Sequence, residues 1–198
     1  MEVVNPQHLP FELTKEYIEE VRLLIQNQAT EEIIQKTDGL FPADITNILI
    51  ELTGEEAKYI VLLLDTKIAA EIISTIDADD RKKFLKNFNS NEIAEYIDVI
   101  DSDDAVDILN EQPVRVREEV IALLKDREQA RFIIDLMHYD EDCAGGLMQK
   151  ELIKINISQT VTECVEEIRK QAEDVEKVYS VYVIDDDGLL LGTVSLKK

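Results

Sequence analysis

Carboxylates four residues apart are the feature of this sequence best suited to chemistry. Asp103 and Asp107 lie near the start of a predicted helix, where this spacing places both side chains on one face, and Glu111 extends that face. Like charges at this spacing repel each other mildly unless a cation lies between them. A simpler interpretation is also open, because the helix dipole alone stabilises an acid in a first turn.

The whole chain is strongly acidic. Its 198 residues include 43 acidic and 21 basic side chains, which gives a formal net charge of −22. This charge argues against nucleic acid and anionic membrane surfaces as partners, because their phosphates carry the same sign. It is compatible with hard divalent cations, which take oxygen ligands. A solvated acidic surface explains the composition more simply.

The sequence has no arrangement typical of an enzyme. It contains no Ser/His/Asp or Cys/His set in a plausible context and no glycine-rich phosphate loop. His138 is predicted to cap or pack at a helix end rather than bind a ligand. Cys143 and Cys164 lack metal-type spacing, so we expect two reduced thiols in a cytosolic chain. The longest apolar run, residues 60–64, is far shorter than the roughly 20 residues that span a bilayer, so this piece is expected to be soluble.

A twelve-residue repeat predicts the elements that must position these acids. Large apolar residues recur at this interval from Leu52 to Leu136, with Gln112 as the exception. Residues 70–88 and 94–112, which are two repeats apart, are identical at eight of 19 positions. Helices of about eight residues are unstable alone and must bury their apolar stripes against neighbours. The repeat therefore predicts a stack of short helices, an α-solenoid.

Capping residues follow the apolar positions of this repeat. An Asn, Asp or Thr with an acid three residues later resembles a capping box, in which the two side chains satisfy each other's backbone N–H groups. Asp126 is expected to take the cap role one residue late, after Lys125. Upstream, residues 11–27 are predicted to form a longer amphipathic helix, and residues 30–37 to add another turn or two. The predicted boxes are Thr53 with Glu56, Asp77 with Asp80, Asn89 with Glu92, and Asp101 with Asp104.

The twelve-residue helical repeat ends before residues 140–148, DEDCAGGLM, and a different sequence pattern follows them. Gly145 and Gly146 are predicted to give the backbone freedom to turn there. Residues 151–157 alternate like a strand, and Thr160 with Glu163 opens a helix to about Lys170. Residues 178–188 and 189–197 read as two further strands. They are joined by a hairpin at the acid cluster 185–187, where Asp-Gly is turn chemistry. The predicted order is β-α-β-β.

Three stretches resemble the cytosolic part of MgtE-type magnesium transporters and channels. Residues 40–45, LFPADI, resemble the opening helix of that family's N domain, and residues 139–148, YDEDCAGGLM, resemble its junction with the cystathionine-β-synthase-type (CBS) domains. Residues 178–185 together with 191–196 resemble its first CBS unit. The resemblance covers roughly residues 40–198.

This resemblance implies a mainly α fold: a right-handed superhelical α-solenoid of short helices, followed by a partial, truncated α+β CBS unit. The acidic N domain would consist of helix pairs of about 24 residues. The implied division is an N-terminal helical cap over 1–39, an MgtE-type N domain over 40–138, a junction over 139–150 and the partial CBS domain over 151–198.

The function implied by the resemblance is magnesium sensing at the cytoplasmic face of the membrane. In the family, Mg²⁺ bridges the N domain to the CBS domains and holds the pore closed, and the acids repel when Mg²⁺ is scarce. The implied partners are Mg²⁺ ions, the protein's own CBS domains and transmembrane pore, and a second copy in a full-length homodimer. The chain as given would be a soluble, regulatory piece without enzymatic activity.

The resemblance also assigns candidate metal residues. It places N-domain magnesium ligands on Asp103 and Asp107, and another on Glu71. Glu95 occupies the position equivalent to Glu71 in the repeat, so a plain solvated acid explains Glu71 as well. A backbone oxygen near Gly146 is a further candidate. The partner acids are expected in a second CBS unit, so the site here would be half a site.

Two alternatives remain open at this point. One is a helical-repeat module that docks a protein partner, like the flagellar motor switch proteins, without sensing cations. The other is an adenylate-binding CBS regulator, since some family members bind ATP in the CBS pair. Ser180 stands where an aromatic stacking residue can lie, with Leu196 and Lys197 bordering that pocket. The departure at Ser180 argues against nucleotide binding in this chain.

Overall fold

Short helices in regular succession make up most of the structure. The computed structural model describes residues 11–140, 142–172, 175, 178 and 180–195. Glu141, Tyr179, Leu196 and Lys197, which the sequence analysis names, lie outside the described residues. Among the described residues, ten helices precede the first strand: α1 Lys15–Gln26, α2 Thr30–Thr37, α3 Pro42–Ile50, α4 Gly54–Val61, α5 Thr66–Thr75, α6 Ala78–Leu85, α7 Ser90–Ile97, α8 Ser102–Asn110, α9 Val114–Leu123 and α10 Arg127–Leu136.

The twelve-residue repeat sets the helix starts. From Thr30 to Val114 the helices begin at this constant interval, and α10 begins one residue late at Arg127. The repeat thus starts two steps earlier than the apolar pattern at Leu52 indicates. Gln112, the polar exception, is also buried, and its Nε2 donates to the carbonyl oxygen of Ile108 at 3.3 Å. That bond removes the main cost of burying an amide.

Among the described residues, four pairs of alternate helices pack against each other. α3 packs on α5, α5 on α7 and α7 on α9, and α4 packs on α6. This arrangement explains why the sequence similarity is strongest two repeats apart, because equivalent positions of alternate helices meet similar neighbours. The buried side chains are mostly isoleucine and leucine, such as Ile48, Ile72, Ile73, Ile93 and Ile97. The predicted mainly α fold of stacked short helices is confirmed.

Helix caps follow the prediction at most positions. Capping boxes are present at Thr53 with Glu56 and at Asn89 with Glu92. Asp126 Oδ1 accepts the N–H groups of residues 128 and 129, which confirms its late cap role. Asp77 occupies the N-cap of α6, but its side chain makes no capping bond, so the box predicted there is wrong. Thr14 caps α1, which therefore begins later than the predicted helix over 11–27.

The C-terminal part has the predicted β-α-β-β order. Its elements are β1 Ile153–Asn156, α11 Val161–Gln171, β2 Val181–Ile184 and β3 Leu190–Val194. β1 pairs parallel with β2, with Ile153 opposite Val181, and β2 pairs antiparallel with β3. The parallel pair needs a crossover connection, which α11 supplies.

Two compact units divide the described residues. The first contains the residues up to Ile100 together with Asp107–Ala130, and the second contains Asp101–Val106 together with the residues from Arg131 onward. The core of the second unit's sheet consists of Ile153, Ile155 and Val181, against which Cys164 and Ile168 of α11 pack. The helix α8 has its first residues in the second unit and its last residues in the first.

Candidate metal centre

Two of the predicted ligands lie on α8, one turn apart. Asp103 is partly buried in the first turn of the helix, and Asp107 is exposed. No hydrogen bond or ion pair reaches the Asp103 carboxylate from any residue that the structure describes. The positive end of the helix dipole stabilises this charge, and the carboxylate oxygens keep their capacity to bind a cation from solution.

Glu111, the third acid of the α8 face, has a structural role instead. Arg81 Nε donates to both carboxylate oxygens of Glu111, at 3.2 and 3.0 Å, and Arg81 Nη2 donates to Oε1 as well. Both side chains are mostly buried, with 10% and 15% of their surfaces exposed. Arg81 Nη1 also donates to the carbonyl oxygen of Ser74 at 2.9 Å. A carboxylate bound bidentately by a guanidinium is not free to take a metal ion.

Glu71 and its repeat mate Glu95 differ in their surroundings. Glu71 is exposed on α5, and no described residue forms a hydrogen bond or ion pair with its carboxylate. Glu95, which is also exposed, lies on α7 with its carboxylate 3.7 Å from the ammonium group of Lys125. The repeat therefore presents the same residue twice, once with a nearby cation from the chain and once without.

Gly146 lies in a run of tight turns between α10 and β1. Its N–H donates to the carbonyl oxygen of Cys143 at 3.0 Å, one turn after the N–H of Cys143 donates to the carbonyl oxygen of Asp140. Gly145 is required for a reason other than the predicted backbone freedom. A Cβ on this residue would lie 2.3 Å from Cδ1 of Tyr139, and its φ is not positive. Close contact with the tyrosine ring therefore selects glycine at residue 145.

The candidate ligands do not form a closed metal site by themselves. Within the described ranges of the chain, no three His, Cys, Asp or Glu side chains converge in a way that could hold a metal ion. Mg²⁺ tolerates this arrangement better than most cations, because it keeps several waters and uses one or two carboxylates. The assignment of ligands to Glu71, Asp103, Asp107 and Gly146 stays a prediction.

A family model described as the MgtE intracellular N domain matches residues 40–142, just over half of the chain. The chain belongs to the MgtE N-domain family. Residues 144–198 match the CBS domain family, in agreement with the β-α-β-β order. The resemblance identified in the sequence is thus confirmed.

Two curated relatives are named as magnesium transporters. The magnesium transporter MgtE of Thermus thermophilus is 30% identical over 178 residues, which are 87% of this chain and 39% of that protein. The magnesium transporter MgtE of Enterococcus faecalis is 37% identical over 70 residues, 35% of this chain and 16% of the relative. The chain thus spans well under half the length of the curated relatives that it matches.

Two solved structures superpose closely on this chain, each with a TM-score of 0.79. One is described as the cytosolic domain of the Mg²⁺ channel MgtE in complex with ATP; it is 28% identical, with coverage of 90% of this chain and 73% of the other. The second is described as the soluble part of a magnesium transporter; it is 26% identical, with coverage of 92% of this chain and 72% of the other.

None of the helices in the described residues is both long and apolar enough to cross a membrane.

Asp185 and His138 in this MgtE-family chain have structural roles. Asp185 Oδ1 accepts the N–H groups of Asp187 at 3.0 Å and Leu189 at 2.8 Å, and Gly188 has φ +79°, so the acid cluster forms the predicted hairpin turn. His138 donates from Nδ1 to the carbonyl oxygen of Ile134 at 2.7 Å, which is the predicted cap role. Ser180 is partly buried directly before β2.

Two features of this chain were not predicted from the sequence. Arg81 is the repeat equivalent of Ala105, which is fully buried, so a base occupies a core position of the repeat. A buried charge requires a partner, and this rule could have predicted the ion pair with Glu111. The bonds between Ser102 and Glu151 join distant parts of the chain and carry no local signal.

Proposed function

We propose that this chain is the cytosolic Mg²⁺-sensing regulatory region of a magnesium transporter or channel. Membership of the MgtE N-domain family and the names of the curated relatives support the transport system. The observation that supports the sensing role is that some acids of the helical repeat have partners within the chain and others do not. Glu71 and Asp103 have no partner among the described residues, whereas Glu111 is bound by Arg81 and Glu95 lies near Lys125.

The mechanism follows from the balance of charge. A chain with net charge −22 resists any close approach of its acidic faces, because like charges in a partly desolvated interface repel strongly. Mg²⁺ on the α8 face and on Glu71 removes this repulsion and allows the N domain to dock against CBS acids. The docked state would close the pore, and loss of Mg²⁺ would release it. The bound ion selects the docked state only by its higher affinity for it.

A weak site suits this role. Few direct carboxylates and a retained water shell give loose binding, so occupancy would change over the range in which an abundant cell ion varies. The proposal places the chain at the cytoplasmic face of the membrane, with its own CBS domains, the transmembrane pore and a second protomer as partners. ATP binding in a complete CBS pair is a secondary proposal, which is supported by the similar structure described with ATP and opposed by Ser180 at the expected aromatic position.

An NMR titration of this chain with MgCl₂ tests the ion site. The backbone amide signals are followed while KCl holds the ionic strength constant. We expect saturable shifts in α5 and α8, because a site with direct ligands fills whereas a diffuse ion atmosphere does not. Asp107→Asn and Glu71→Gln should each raise the midpoint several-fold. Glu95→Gln is the matched control, since the same type of exposed repeat acid is removed beside Lys125. Equal, unsaturable shifts at all acids would overturn the proposal.

A further inference from the structure

The N-terminus of α8 is capped by a carboxylate from far along the chain. Glu151 Oε1 accepts the backbone N–H of Ser102 at 3.0 Å, and Oε2 accepts the Ser102 hydroxyl at 2.7 Å. Ser102 Oγ in turn accepts the backbone N–H of Lys150 at 3.1 Å. These three hydrogen bonds, the Ser102–Glu151 latch, join the first turn of α8 to the segment directly before β1.

The latch is protected from water. Ser102 is 0% exposed, and Lys150 and Glu151 are partly buried. The Lys150 ammonium group forms an ion pair with Asp135 near the end of α10. The hydrogen bond from the Lys150 ammonium group to the Asp135 carboxylate raises the pKa of Lys150 and lowers the pKa of Asp135. The pair therefore stays charged at neutral pH. All of these residues belong to the second compact unit.

This cap differs from the boxes elsewhere in the chain. Thr53, Asn89 and Thr160 each cap the helix that follows them directly, and each is paired with an acid of that same helix. At α8, the N–H and the hydroxyl of Ser102 are bound by a carboxylate from the segment directly before β1. It adds a negative charge next to Ser102, whose neighbours in the chain are Asp101 and Asp103. Such a charge is favoured by the helix N-terminus and disfavoured by the adjacent acids.

We propose that Glu151 is a positioning residue for the Mg²⁺ ligand Asp103. By capping α8 from the segment before β1, it holds the first turn of the helix, and with it the Asp103 carboxylate, in fixed register with the CBS strand. Mg²⁺ at Asp103 reduces the repulsion on Glu151 and strengthens the latch, and by linkage an intact latch strengthens Mg²⁺ binding. This inference rests on the proposed function, in which Asp103 binds the ion.

Amide hydrogen exchange and Mg²⁺ titration of the same samples test the inference. Glu151→Ala should speed exchange of the Ser102 amide, and of the first turn of α8, on the order of tenfold, because the Ser102 N–H at the helix N-terminus loses its acceptor. The same change should raise the Mg²⁺ midpoint of the α8 signals several-fold. Ser102→Ala removes the two Oγ bonds but keeps the N–H of residue 102, so a smaller effect in the same direction is expected.

Glu163→Ala is the matched control. Glu163 is also a capping acid of the second unit, but its carboxylate bonds Thr160 at the start of α11. Its removal should speed exchange at α11 alone and leave the Mg²⁺ midpoint of α8 unchanged.

The two readouts separate the failure of this inference from the failure of the proposed function. Unchanged exchange in Glu151→Ala would show that the latch does not form in solution. Faster exchange with an unchanged Mg²⁺ midpoint would show that the latch does not position Asp103. In both cases wild-type chain still responds to Mg²⁺. If the wild type shows no saturable Mg²⁺ response, the proposed function is wrong and the positioning role falls with it.

Discussion

At the scale of residues, the acidic side chains of this chain divide by their partners. Some are committed to the fold: Glu111 neutralises a buried arginine, and Glu151 caps a helix. Glu71 and Asp103 instead have no partner among the described residues, which leaves their charge for an ion in solution. The total of 43 acidic side chains thus overstates the number of carboxylates that a cation could bind.

The buried ion pair predicts a large loss of stability when only one partner is removed. Arg81→Met leaves the Glu111 carboxylate buried without a counter-charge and leaves the Ser74 carbonyl oxygen without its donor. We expect the free energy of unfolding to fall by about 3 kcal/mol, measured by urea unfolding followed by far-UV circular dichroism.

The double variant Arg81→Met with Glu111→Met should recover much of that loss, because no uncompensated charge remains. Lys83→Met removes an exposed base of the same helix, paired with Asp80, and serves as the control with little expected change. A loss in Arg81→Met no greater than in Lys83→Met would contradict the assigned role of the pair.

At the scale of elements, regular capping sets the boundaries of the short helices. The caps lie at a fixed phase of the twelve-residue repeat, so they compensate for the low intrinsic stability of such short helices. The acids of the capping boxes have lowered pKa values, which can be measured. Hydrogen bonds from the Thr53 backbone lower the pKa of Glu56, and those from Thr160 lower the pKa of Glu163.

These capping acids predict a defined pH dependence. Because the pKa of Glu56 is lower in the folded chain than its ordinary 4.5, its contribution to stability is fully present above about pH 4.5 and is lost as the pH falls through the folded value. Carboxyl NMR titration should show both Glu56 and Glu163 below 4.5.

Thr53→Ala should raise the pKa of Glu56 part of the way, because the backbone bond remains, and should leave the pKa of Glu163 unchanged. Thr160→Ala should do the reverse. A pKa at or above 4.5 for Glu56 in the wild type would rule out the capping box in solution.

Local patterns made most elements predictable, whereas contacts between distant residues were not. The helix starts, the boxes at Thr53 and Asn89 and the β-α-β-β order all follow from spacing and turn chemistry within a few residues. The box predicted at Asp77 does not form, and Asp80 Oδ1 instead accepts a hydrogen bond from Lys83 Nζ at 2.8 Å. The Ser102–Glu151 latch depends on how the chain folds back, which periodicity does not encode.

At the scale of the whole molecule, the chain combines a stack of acidic helices with a CBS unit of the MgtE type. Neither part alone gathers a complete ion site among its described residues. The proposed sensing role therefore requires acids from further CBS structure, and in that proposal electrostatic repulsion within the acidic region supplies the free energy that Mg²⁺ binding offsets.

Small-angle X-ray scattering of this chain extended by a second CBS unit tests the central claim most directly. Matched samples without Mg²⁺ and with millimolar Mg²⁺, at equal ionic strength, should differ in radius of gyration. The account predicts compaction with Mg²⁺ that Asp107→Ala weakens and Glu95→Ala does not. An unchanged radius of gyration at all Mg²⁺ concentrations would contradict magnesium sensing by this region.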